Sequence, residues 1–374
     1  MTTDSRSTAE PRPLLVGVEF GNDPAGAPRI PPSRFAGIAR AAKIGSVRWG
    51  DCEPILWPSW WPESWRYSHG WIVAQLDDWR RAGFDRLTVV LKCWHRDLTA
   101  PTYTPPPGFA SGYAGIASAP PKDEAAWKAL DRWVRRWLRD VRGRVQVVEC
   151  ESEWQSPAWW LGGFDEYMRW LRLLRAAVRD VSPEVKVCLG GHSLDGLLDD
   201  DPDDDTISAR IMGLPEPQRS VMARALDLGT RALATGEFDK VDIHSLGDPS
   251  GIEPNVRRVR ELLPAGWAGE VTIGDAFPCR PLVPSPGQWL PGVAELVGPL
   301  VRREPWAVAA LEELQTLDTV AKIAAAQRAG CSAIHFGPLY DWNLAQPTPY
   351  PWQGLTRPDG TLRPVCDVLR AAQP

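Results

Sequence analysis

An alternation that runs the whole length of the chain constrains its fold most. A short apolar, β-branched run is followed by a stretch with apolar residues at helical spacing, and the pair recurs eight times. The strand-like runs fall at 14–21, 45–50, 86–94, 145–148, 185–190, 240–246, 270–277 and 331–336. Between them the apolar spacing predicts helices over 71–82, 124–141, 164–178, 256–263, 318–329 and 364–372, with another opening after Ser33 and a helical stretch ending near 234. Near-continuous apolar strands separated by helices are what a parallel sheet covered by helices requires. Eight such units without a composition break predict one α/β domain over 14–374, a (β/α)₈ barrel with long βα loops, after a polar tail over 1–13. A doubly wound open sheet is the alternative, but no Gly-rich phosphate turn follows any strand.

Composition narrows the partners. A chain of 374 residues, 44% hydrophobic and 24% charged, can bury one large core, and a net charge of −5 argues against nucleic acid or an anionic membrane as partner. The acids at 199–205 lack the glycine and ligand spacing of a calcium loop and read as a solvated surface loop. Seven cysteines, an odd number without a CxxC pair, read as small buried residues of a reducing compartment. With no apolar signal core near the start, the expected location is cytoplasmic.

Chemistry concentrates in Val145-Gln-Val-Val-Glu-Cys-Glu-Ser-Glu-Trp154. Glu149, Glu151 and Glu153 alternate, so an extended strand would aim all three at one side. Three acids on one buried face repel each other and lose hydration, which a purely structural strand would not carry cheaply. The plain alternative is a strand running into a solvated loop, its acids bridged by arginines. If the chain closes into a barrel, the strand C-terminal ends share one mouth. Glu19, Arg48, Trp49, Asp51, Trp94 and His95 collect there, as do His192, His244, Asp275, Tyr340, Asp341 and Trp342. Two carboxylates on facing walls are what glycosidic bond cleavage needs, one to protonate the leaving oxygen and one to attack or to activate water.

On these residues the chain resembles the retaining glycoside hydrolases of clan A, a (β/α)₈ superfamily. Arg48 matches the arginine that ends strand two, Glu151-Ser-Glu-Trp154 the Asn-Glu-Pro-like motif after strand four, and His244 a strand-six histidine. The tail from Gly354 to Pro364 matches the segment before the last helix. The resemblance implies a hydrolase in which Glu153 is the acid/base and Asp275 the nucleophile or base, held ionised by Arg48. Two positions depart from the pattern: Ser152 stands where Asn is usual, and Asp275 where Glu is usual. Asp is one methylene shorter, which draws its carboxylate back by roughly 1–1.5 Å. That shortening leaves retaining, inverting and inactive outcomes open.

The expected substrate-binding set is Arg48, Trp49, His95, Glu151, Ser152, Trp154, His244, Tyr340 and Trp342, with a saccharide as partner. Of the twenty tryptophans, those at helical spacing belong to the core. Trp57, Trp60, Trp61, Trp65, Trp159 and Trp160 join Trp154 and Trp342 as loop residues able to stack on sugar. Glu149 or Glu151 is expected to pair with Lys92 or Arg48, and Glu312 and Glu313 to lie on a surface helix. No metal or cofactor is expected, because His95, His192 and His335 form no ligand motif. The alternative is a non-catalytic barrel that binds carbohydrate or a partner through the same cleft. Lyase or transferase chemistry on a small metabolite is a third reading, for which the last loops lack paired glycines.

Overall fold

The computed structural model describes residues 13–20, 37, 40–49, 55–56, 69–93, 95, 98–99, 118–157, 159–194, 196–216, 218–276, 293–337, 354–357 and 359–373. Eight strands form a closed, all-parallel barrel: β1 (Leu15–Phe20), β2 (Ser46–Trp49), β3 (Arg86–Lys92), β4 (Val147–Cys150), β5 (Lys186–His192), β6 (Lys240–Ser245), β7 (Glu270–Ala276) and β8 (Ala333–Phe336). Each pairs with the next, and β8 closes on β1 with Val16 opposite Ile334. A two-residue strand, Ile55–Leu56, adds to the upper end of β3.

Helices α1 (His69–Arg81), α2 (Glu124–Asp140), α3 (Phe164–Val181), α4 (Asp204–Gly213), α5 (Gln218–Leu233), α6 (Ile252–Leu262), α7 (Val293–Val301), α8 (Pro305–Arg328) and α9 (Val365–Ala371) accompany the strands. Helix α2 shows how local sequence sets an element. The Asp123 carboxylate accepts from the Ala126 N–H at 2.8 Å and caps the helix, while Trp127, Leu130, Trp133, Val134 and Trp137 bury one stripe.

Strand residues alternate between two environments. Val47, Trp49, Leu87, Val89, Val148, Val241, Ile243 and Ile273 join Leu130, Trp137, Trp170 and Leu174 of the helices in one apolar cluster. The intervening residues Ser46, Arg48, Glu149, Asp242, His244, Thr272 and His335 are buried too. By the strand period of two they face the barrel interior. The apolar core therefore sits between strands and helices, and the barrel is filled by a polar network.

Some elements differ from expectation. Helix α8 begins at Pro305, not near 318, because proline at the first helical position starts a helix rather than breaking it. Its buried stripe includes Glu312, Gln315, Asp318, Thr319 and Lys322, which hid the apolar period. Glu312 is therefore buried, paired through both oxygens with Arg357 at 2.7 and 2.8 Å. The acids around 200 are partly structural: Asp203 caps α4 by accepting from Thr206 N–H, Asp201 pairs with Arg257 and Asp204 with Arg258. Among the described residues, no helix is long and apolar enough to cross a membrane.

Candidate active site

Arg48 stands at the centre of the polar network. Its guanidinium grips Glu149 with Nε 2.8 Å and Nη2 2.7 Å from the two carboxylate oxygens, and donates to Glu19 at 2.6 Å and to Ser152 Oγ at 3.0 Å. Asp242 Oδ2 lies 3.3 Å from Arg48 Nε. Glu149, one of the acids expected on Arg48, balances it together with Glu19 and Asp242. Planar, bidentate pairing suits a buried guanidinium, which stays charged in any protein environment. Burial pushes the Glu149 carboxyl above its ordinary range against the pull of Arg48. Asp242 meets the same burial, but the close His244 ring and the field of Arg48 outweigh it and hold the carboxyl low.

The network reaches solvent at Glu153. His244 Nδ1 lies 2.8 Å from Glu153 Oε1, and the Glu153 side chain is 21% exposed while the His244 ring is fully buried. Burial disfavours a charged ring, yet contacts with Asp242 and Glu153 raise the His244 pKa well above its ordinary value. The β6–β7 register slips between Ile243 and His244, so His244 stands beside Asp275 in the ladder. Irregular pairing that re-aims a side chain is common at barrel rims. Asp275 is half-buried there, at the end of β7.

The three alternating acids do not share a face. Strand β4 ends at Cys150, and both Glu151 and Glu153 take left-handed backbone conformations, with φ of 62° and 45°. Glu149 turns to Arg48, Glu153 to His244, and Glu151 to the backbone N–H of Cys93. Glu151 is wholly buried, and burial raises its pKa to about 7 against the opposing pull of Lys92 and the hydrogen bond from the Cys93 N–H. It is thus a buried tie rather than a group open to substrate.

Two expected stacking residues need the same correction. Trp49 belongs to the core between barrel and helices, because it alternates with the inward Arg48. Trp154 is fully buried and stacked on Tyr167, ring centroids 3.6 Å apart. Trp160 is buried as well, whereas Trp159 is half-buried with the Lys92 ammonium 4.8 Å from its ring centre. Ser152 lies within the network through Arg48. His95 is half-buried and its Nδ1 accepts from Leu98 N–H at 3.2 Å, closing a turn after β3. Asp51, Trp57, Trp60, Trp61, Trp65, Trp94, Tyr340, Asp341 and Trp342 lie outside the described residues.

The residue that sequence reasoning missed is Asp242. Its signal was the polar/apolar alternation of Lys240-Val-Asp-Ile-His244, which marks a strand with one polar face. Glu149, Asp242 and His244 bring donor atoms within 4.8 Å of one another, as a metal trio would. Arg48 already stands among them, so the trio reads as an ion-pair network carrying its own cation.

The eight-stranded parallel barrel with a carboxylate-lined mouth has the architecture of the clan A glycoside hydrolases. No protein-family model matches the chain, and no curated protein does. Solved structures of that clan do match. A family 39 glycoside hydrolase from Bacteroides cellulosilyticus WH2 aligns with a TM-score of 0.58 at 14% identity over 97% of this chain, which spans 64% of that protein's length. The GH53 catalytic domain of Ignisphaera aggregans aligns with a TM-score of 0.54 at 15% identity, covering 96% of each chain. A family 5 xyloglucanase from Paenibacillus pabuli gives a TM-score of 0.53 at 10% identity. At these identities the likeness is one of fold.

Proposed function

We propose that this protein hydrolyses a glycosidic bond, with Glu153 as general acid/base and Asp275 as nucleophile or base. The observation that carries the reading is Glu153 itself. It is a non-glycine residue in the left-handed region just after β4, partly open to solvent while Glu149, Glu151 and Asp242 are buried. Backbone strain of this kind costs on the order of 1–3 kcal/mol and persists where the surroundings over-determine it, often at functional sites.

In the first step Glu153 protonates the leaving oxygen while Asp275 attacks the anomeric carbon; in the second it takes a proton from water. If Asp275 stands further from the sugar it activates water directly and the configuration inverts. A saccharide is the partner, and neither a metal nor an organic cofactor takes part. The test is turnover of aryl glycosides by the wild type, Glu153→Gln and Asp275→Asn, with product anomers followed by NMR. Each substitution should lower turnover by at least about 10²-fold, the scale of acid/base catalysis. Retained configuration would make Asp275 the nucleophile, and inverted configuration a base. Saccharide binding without turnover of any glycoside would replace this reading by a binding barrel.

A further inference from the structure

Asp242 lies beneath His244 on the inward face of β6, and the strands on both sides leave room for the pair. A Cβ on Gly274 of β7 would stand 2.0 Å from Asp242 Oδ2, and one on Gly191 of β5 would stand 1.9 Å from His244 Nε2. Any side chain at either glycine would occupy the space of the carboxylate or the ring. The Gly274 N–H also donates to Asp242 Oδ1, which fixes the carboxylate's orientation.

Asp242 Oδ2 then lies 3.5 Å from His244 Nε2, an ion-pair contact, while Nδ1 is 2.8 Å from Glu153 Oε1. Both ring nitrogens face carboxylates. A neutral imidazole would present a lone pair to one of them, so the arrangement suits a ring with a proton on each nitrogen.

We propose that Asp242 is a positioning residue acting through His244: it holds the ring as a two-proton donor that pins one oxygen of Glu153, leaving the other oxygen to carry the transferred proton. This rests on the glycosidase reading. The bond from the anomeric carbon to the leaving oxygen breaks with its electron pair on that oxygen, which takes the proton from Glu153. Asp275, or the water it activates, supplies the pair for the new bond at the anomeric carbon. The Glu153 carboxylate that forms faces the positive ring, so the field that stabilises its developing negative charge is already in place. Water later returns the proton.

The charges around His244 and Asp242 are consistent with this state. Arg48 of β2 and Glu149 of β4 are packed against Asp242, with Glu19 of β1 behind Arg48. His335 of β8 and His192 of β5 are held neutral by burial, with pKa values near 3 and 4, so neither competes for the role of cation. Asp275 of β7 adds a further acid beside His244.

The experiment combines ¹⁵N NMR of histidine-labelled protein with turnover of aryl glycosides of graded leaving-group basicity. In the wild type at pH 7.5 both His244 nitrogens should show bound protons, and in Asp242→Asn the ring should be neutral. Asp242→Asn should lose about 10²-fold on substrates with basic leaving groups, which need the acid, and less than about threefold on dinitrophenyl glycosides, which do not. Asp242→Glu should recover part of the loss. A neutral His244 in the wild type would overturn the proposal, even if the variant failed to fold. So would equal losses on all leaving groups, the mark of a merely structural residue. The NMR result stands apart from turnover: a charged ring in a protein without glycosidase activity would retain the clamp and discard the reaction.

Discussion

Glu151 and Glu153 stand two residues apart and meet opposite fates. Both leave the strand period through left-handed φ, but Glu151 swings into the protein against Cys93 while Glu153 reaches the mouth. Burial raises the Glu151 pKa from 4.5 to about 7, with Lys92 pulling against it, and this makes a stability prediction. Between those values the folded chain holds a proton that the unfolded chain has released, so stability falls as pH rises through the window. The contribution of the neutral acid is complete below about pH 4.5 and lost by about pH 7. Glu151→Gln keeps an acceptor for the Cys93 N–H and removes the titration. Relative to wild type it should gain roughly 1–3 kcal/mol between pH 5 and 8 in denaturant unfolding. Parallel pH profiles for the two proteins would refute the assignment.

Among the elements, β4 and α3 hold the loop that carries Glu153. The Tyr167 hydroxyl of α3 donates to the Cys150 carbonyl at 3.0 Å and accepts from the Gly190 N–H at 3.3 Å, tying the ends of β4 and β5. Its ring stacks on Trp154, one residue beyond Glu153. Tyr167→Phe keeps the stack but leaves a buried carbonyl and a buried N–H short of a partner. It should cost about 1–3 kcal/mol of stability, and the loosened Glu153 should lower kcat more than it raises KM. An unchanged melting temperature would show that the hydroxyl is not needed. Helix α8 plays a comparable part opposite, where Lys322 donates to the Ser245 carbonyl at 3.1 Å just past His244.

At the scale of the whole molecule, the barrel encloses charge that only closure can satisfy. Arg48 comes from β2, Glu149 from β4, Asp242 from β6 and Glu19 from β1, so the network forms only when the ring is complete. A chain ending after residue 329 lacks β8 and α9, and leaves β1 and β7 with open edges and a solvent path to buried acids. It should be rapidly proteolysed and show no cooperative thermal transition; a sharp transition would mean that closure contributes little.

The order of elements was legible because strand and helix periods are written in residues two to four positions apart. So was the placement of Arg48, Glu153, His244 and Asp275 at strand ends, since a parallel barrel brings those ends together. Which acid meets which base was legible only in part, since Glu149 was expected on Arg48 or Lys92 while Glu19 and Asp242 were not expected there. The pairing of Arg48 with Glu149 spans 101 residues, and that with Glu19 spans 29. Neighbours along the chain carry no record of such contacts. Two left-handed residues were enough to scatter three alternating acids, and a slip of register set His244 beside Asp275. The sequence by itself determined the barrel and its mouth, because local periodicity and burial decide those. Tertiary structure alone decided that Gly191 and Gly274 leave room for the Asp242–His244 pair and that His244 meets Glu153, because both follow from close packing between strands far apart in the chain.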